Sequence, residues 1–146
     1  VTAVAVRYEK IKALDAEVLY VSTDKNPTLK AWHEHELSKM VEGGIPFPLI
    51  GDPTHKIARA YGVLEEETGQ AQRSRFLVDP DGLIQTFEVL GGSVGRNTDE
   101  IVRLLQAFRH TVATGEVTPA DWQPGKDTLT PSAEMMGHVW ELWKPE

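Results

Sequence analysis

Two arginines carry the chemistry that this sequence offers most directly. Arg73 opens an apolar, β-rich run and Arg96 leads into a helical pattern, so both fall where strand ends and helix starts can meet. Paired guanidiniums in such a place stabilise an anion, hold a thiolate below its ordinary pKa, or donate to a developing oxyanion. Taken singly, each is more simply a partner for the 22 acidic side chains. Spacing alone leaves both readings open.

Other reactive-looking clusters carry less. His33-Glu-His35-Glu36 invites a metal reading, but two positions on a helix point the rings apart, whereas zinc-binding helices space His at i and i+4. A solvated helix face is the simpler account. Gly91-Gly-Ser-Val-Gly95-Arg96 lies between a strand and a helix as phosphate loops do, yet it lacks the Lys-Ser/Thr of a P-loop. We read it as a turn. Asp79-Pro-Asp-Gly82 lacks the ligand spacing of a calcium loop and reads as a hairpin. No nucleophile elbow or Ser/His/Asp arrangement is present.

The elements that must position the arginines follow an α/β pattern. Val1, Val4, Tyr8 and Ile11 recur at helical spacing, with no Ser, Thr, Asp or Asn ahead of them as a cap. Glu17–Ser22 is short, β-rich and nearly all apolar, as a parallel strand covered on both faces would be. A helix feeding such a strand is the second half of a βαβ unit, so we expect a strand ahead of Val1. Pro27 starts a helix over about residues 28–40, stopped by Gly43, Gly44 and Pro46; Pro48–Ile50 is a short strand, and Ile57, Ala60 and Tyr61 mark a short helix ending at Gly62. Strands over 73–79 and 83–90 flank Pro80-Asp81-Gly82. Asn97 and Glu100 open a helix whose apolar face is Ile101, Leu104, Leu105 and Phe108. After His110 the texture changes. Residues 111–146 hold Pro119, Pro124, Pro131 and Pro145 with Trp122, Trp140 and Trp143, a tail too apolar for simple disorder and suited to packing on a neighbouring surface or subunit.

Composition bounds the rest. The 146 residues carry 15 basic and 22 acidic side chains, a net charge of −7, with pI near 5.2. That balance argues against a phosphate-tracking nucleic-acid binder and against a polybasic membrane module. There is no cysteine, hence no disulfide scaffold, thiolate zinc site or cysteine chemistry within these residues. No apolar run approaches the ~18–20 residues of a membrane span. A cytoplasmic protein is the expectation.

The ordered series Glu17-Val-Leu-Tyr-Val-Ser-Thr-Asp24, Lys30-Ala-Trp-His33, Asp52-Pro-Thr54, Arg73-Ser-Arg-Phe-Leu-Val-Asp-Pro-Asp-Gly82, Val94-Gly-Arg96 and Gly115-Glu-Val-Thr-Pro-Ala-Asp-Trp122 resembles the typical two-cysteine peroxiredoxins, nearest to the peroxidase component of bacterial alkyl hydroperoxide reductase (AhpC/TSA). The resemblance covers nearly the whole chain. It implies a thioredoxin-like α/β fold, a mixed central sheet flanked by helices, with residues 1–110 as the domain and 111–146 as an extended, dimer-contacting tail. It implies reduction of hydrogen peroxide and alkyl hydroperoxides by a peroxidatic Cys thiolate, which in this frame lies just upstream of Val1. Arg73 matches the family's active-site Arg and Arg96 a second Arg near the same pocket. The resolving Cys position is occupied by Thr118, which, if native, implies a one-cysteine route with an outside thiol or a Cys recruited from upstream. Gly43-Gly44 sits near a loop the family links to over-oxidation, without its fuller pattern or the Tyr-Phe tail partner. The implied partners are peroxide, thioredoxin or a flavoprotein disulfide reductase, and a second copy in a homodimer or decameric ring, with no cofactor, nucleic acid or membrane. Two other classes stay open: a non-catalytic thioredoxin-fold binding or holdase module, and a small-anion-binding domain using Arg73 and Arg96.

Overall fold

The computed structural model describes residues Val1–Pro145. They form two compact units, one of residues 1–8 and 17–96, the other of residues 9–16 and 97–146. The helical start is broken into α1 (Thr2–Ala5) and α2 (Tyr8–Ala13), and α1 begins at Val1 with no side-chain cap. The break falls where Arg7 N–H reaches Val4 O only three residues back, the tighter turn that α-helix ends adopt.

β1 covers only Tyr20–Ser22 and pairs in parallel with β2 (Leu49–Gly51), in register Tyr20↔Leu49 and Ser22↔Gly51. The expectation of a strand buried on both faces is corrected here. Leu19 and Val21 are 63% and 37% exposed, because β1 has β2 as its single strand partner among the described residues. Between them, α3 (Asn26–Trp32), a π-helical turn (His33–Leu37) and α4 (Ser38–Met40) run as one continuous helix. Inside this unit Ala5, Tyr8 and Phe47 form the core, with Val1, Val4, Val18 and Tyr20 packed against it. The Tyr8 and Phe47 rings meet edge to face at 5.5 Å, and the Tyr8 hydroxyl donates to Glu17 at 2.6 Å.

After α5 (Lys56–Ala60), a small ladder joins β3 (Leu64–Glu65) to β4 (Gln70–Ala71). β5 (Arg73–Val78) and β6 (Ile84–Leu90) then form an antiparallel hairpin. Its turn is built by Asp79, whose carboxylate accepts the N–H groups of Asp81 and Leu83 at 3.0 and 2.9 Å. These donors, Leu83 foremost, hold the Asp79 carboxyl below its usual pKa. Gly82 takes the positive φ the turn requires. Where the resemblance implies one mixed central sheet, the described residues form one parallel and two antiparallel two-stranded ladders.

In the second unit, α6 (Thr98–Thr114) starts on Asn97, whose side chain accepts from Asp99 and Glu100 N–H, and stops at Gly115 with φ 72°. Its apolar face is half-buried, with Ala107 the buried member. The tail adds a short 3₁₀ turn (Ala133–Met135) and α7 (Val139–Leu142). No helix among the described residues is long and apolar enough to cross a membrane.

Candidate functional site

The hairpin places its charges by strand alternation. Arg73 and Arg75 are two residues apart on β5 and so share a face. Register sets Arg75 opposite Glu88 on β6, and their charged groups meet at 3.2 Å. Arg73 Nε donates to Gly92 O at 2.9 Å, so the glycine turn that could suggest a phosphate loop serves to anchor Arg73. Arg96 comes from the end of the same loop and donates to Ser74 O at 3.1 Å. Thus each arginine is held by a backbone carbonyl, not by a carboxylate. The carbonyl fixes geometry without cancelling the charge.

Both guanidiniums bear on Tyr20. The Tyr20 phenol is raised by burial and by Asp24, against an opposing pull from Arg96 and Arg73. Arg96 is itself lowered, chiefly by burial, with Glu88 opposing and Arg73 and Arg75 adding repulsion. The two arginines singled out from the sequence are neighbours, since Arg96 donates to the carbonyl of Ser74, the residue next to Arg73. This cationic corner can stabilise an anion or an oxyanion formed there.

Thr118 lies in the other unit, half-buried in a cavity of about 310 Å³ lined by Arg103, Phe108, Thr111, Pro119 and Asp121. His33 and His35 form no site together: His33 Nε2 accepts Ile45 N–H at 3.0 Å, and its ring occupies the space a Cβ on Gly44 would need. Among the described residues no three His, Asp or Glu side chains stand close enough to hold a metal ion. Arg75, Glu88 and Tyr20 escaped the reading of motifs. Period-two alternation from Arg73, and from Val18 along β1, is the signal that would have found Arg75 and Tyr20; counting back from the Pro-Asp-Gly turn would have found Glu88.

A mixed α/β scaffold that holds two neighbouring guanidiniums on backbone carbonyls is equipped to bind or stabilise an anion. Comparison with known proteins makes that capacity specific. Residues 1–87 match the AhpC/TSA family, and residues 107–144 match the C-terminal domain of 1-Cys peroxiredoxin. The chain is 48% identical over 145 residues to the selenocysteine-containing peroxiredoxin PrxU of Peptoclostridium acidaminophilum, covering 98% of this chain and 71% of that one. It is 41% identical over 136 residues to alkyl hydroperoxide reductase C of Bacillus subtilis, covering 91% and 70%. The crystal structure of reduced 2-Cys peroxiredoxin from Plasmodium vivax superposes with a TM-score of 0.84 at 33% identity, over 91% of this chain and 68% of that one. The chain belongs to the AhpC/TSA family of peroxiredoxins, and its fold is thioredoxin-like.

Proposed function

We propose that this protein reduces hydrogen peroxide and alkyl hydroperoxides, using a chalcogenolate supplied from sequence ahead of Val1. The observation that carries this reading is the pair of carbonyl-held guanidiniums, Arg73 on Gly92 O and Arg96 on Ser74 O, whose field no carboxylate pairs away among the described residues. A nucleophile a short distance before Val1 would enter that field and stay ionised there. In the step itself, the anion attacks one peroxide oxygen, the O–O bond breaks, and Arg73 and Arg96 bear the charge that develops on the departing oxygen. The oxidised sulfur is a sulfenic acid, returned to thiolate by an outside thiol. With Thr118 at the resolving position, no partner thiol is available at that point of the chain. Thioredoxin or a flavoprotein disulfide reductase is the reductant of this reading. The cytoplasm is its compartment.

The 48% identity to a selenocysteine-containing relative, against 41% to the Bacillus subtilis protein, supports selenium as well as sulfur at the reacting position. The same reading makes 111–146 a dimer-contacting tail, with Met136, Trp140 and Leu142 exposed for a second copy, and allows dimers to close into a decameric ring. A second reading has its own support: the 146 residues contain no cysteine, so by themselves they suit a non-catalytic binding or holdase module. One experiment separates the two. The natural protein is supplied with peroxide and a thiol donor, and its intact mass and isotope pattern are recorded. Turnover, with a mass that includes sulfur or selenium ahead of Val1, supports the peroxidase. Suppression of client aggregation with no turnover on any thiol supports the holdase.

A further inference from the structure

Strand alternation gives the β5–β6 hairpin two unlike faces. Ser74, Phe76 and Val78 share one with Val89, Phe87 and Ile84, and none of these is charged. The other holds Arg73, Arg75 and Leu77 opposite Leu90, Glu88 and Thr86. Its charges are two cations and one carboxylate. Arg96 joins them from the loop, because it donates to the carbonyl of Ser74, the residue between Arg73 and Arg75. Three arginines thus meet one short stretch of β5, where residues two apart stand about 7 Å from each other.

Glu88 is the exception in that company. Its carboxylate lies 3.2 Å from the Arg75 guanidinium, with the Arg75 and Glu88 side chains 12% and 31% exposed. Yet Glu88 Oε2 is buried, and no hydrogen bond from the described residues reaches it. The contact is one of charge, without the directed bonds that make a shielded ion pair worth keeping for stability. A buried oxygen left without a donor works against the fold. What the carboxylate does supply is a negative charge against the third arginine. Arg96, lowered chiefly by burial, registers both partners: Glu88 opposes the shift and Arg75 adds to it.

We infer that Glu88 limits how tightly the arginine corner holds an anion, by cancelling the charge of Arg75, a third cation of that corner. The inference deepens the peroxidase reading above. There, one negative charge passes from the chalcogenolate to the departing oxygen, and Arg73 and Arg96 are enough to meet it. A third uncancelled guanidinium would retain small inorganic anions such as sulfate in the place of substrate. Arg75 and Glu88 touch no reacting atom in this account; they set the field in which Arg73 and Arg96 act.

The test titrates inorganic sulfate, a dianion at neutral pH, into the natural protein, Glu88→Gln and Arg75→Gln at low ionic strength, with binding read by calorimetry. Glu88→Gln should bind sulfate roughly 5- to 10-fold more tightly than the parent, the effect of one charge about 8 Å from a dianion. Arg75→Gln, which leaves the carboxylate without this cation, should bind it more weakly by a similar factor. Both differences should shrink with added potassium chloride. The double variant Arg75→Gln/Glu88→Gln should return to the parent's affinity. A pair that serves only the fold behaves otherwise, since breaking it from either side moves affinity in the same direction. Should one single variant fold poorly, the other, set against the double variant, carries the same comparison. Equal affinity in parent and Glu88→Gln, shifts of one sign in both single variants, or no binding to any of them overturns the inference. A parent that shows the opposed shifts but consumes no peroxide overturns the proposed function and leaves the role of Glu88 standing.

Discussion

The Arg73–Arg96 corner and the turn around Thr118 sit in different units and handle charge in opposite ways. In the first, Arg73 and Arg96 bind the carbonyls of Gly92 and Ser74, and no carboxylate among the described residues lies within ion-pair distance of either. In the second, Arg103 and His110 each meet a carboxylate. Arg103 grips Glu100 through two bonds of 2.7 Å, and His110 meets Glu116 at 3.0 Å while Thr128 donates to the same carboxylate. Charge left uncompensated costs stability and serves an incoming anion; charge neutralised in place serves the fold. The difference teaches that the first region holds cations free for an incoming anion, whereas the second ties its cations into the fold.

If that contrast is right, the second region should answer to stability and the first to rate. Trp122 is 5% exposed, donates to Lys126 O at 3.0 Å, and accepts from Arg103 on its own carbonyl. Trp122→Ala should therefore cost about 3–5 kcal/mol in denaturant unfolding. A loss below about 1 kcal/mol would break the framework side of the comparison. Arg96→Ala should lower the peroxide step roughly 10²-fold in rapid mixing. Its melting temperature should move far less than that of Trp122→Ala. The reverse ranking of these two variants would invert the comparison.

The smallest effect is a matter of pH. Hydrogen bonds from Thr128 and then His110 hold the Glu116 carboxyl below its ordinary pKa. A depressed carboxylate stabilises the fold above its unfolded pKa of about 4.3, and that contribution is lost as pH falls through the folded value. Glu116→Gln should thus melt lower than the parent at pH 7, and the two should converge in acid. A gap of the same size at pH 3 would show that Glu116 contributes through packing, with its charge irrelevant.

How much of this was legible beforehand depended on whether the signal was local. The hairpin of residues 73–90 announced itself through Pro80-Asp81-Gly82, and α6 through Asn97, because turn and cap chemistry lies in adjacent residues. The π-helical turn over His33–Leu37 was invisible, since no residue type or spacing there announces it, and neither does the bond that His33 accepts from the distant Ile45. β1 misled for a similar reason: an apolar run looks doubly covered, but burial depends on which strands pair beside it. Arg73 and Arg96 were flagged by residue type and by the family resemblance. Their anchoring on Gly92 O and Ser74 O is set by β5–β6 register and the Gly91–Arg96 turn, which no local pattern displays.

The central claim is that the uncompensated charge of Arg73 serves a peroxide-reducing anion beside Val1. Its most direct test is the second-order rate of peroxide consumption by the natural protein and by Arg73→Ala, measured in parallel with thermal melting. The account predicts a fall of about 10²–10³-fold in rate with a nearly unchanged melting temperature. Equal rates for the two proteins, or a loss of rate that merely follows unfolding, would contradict it.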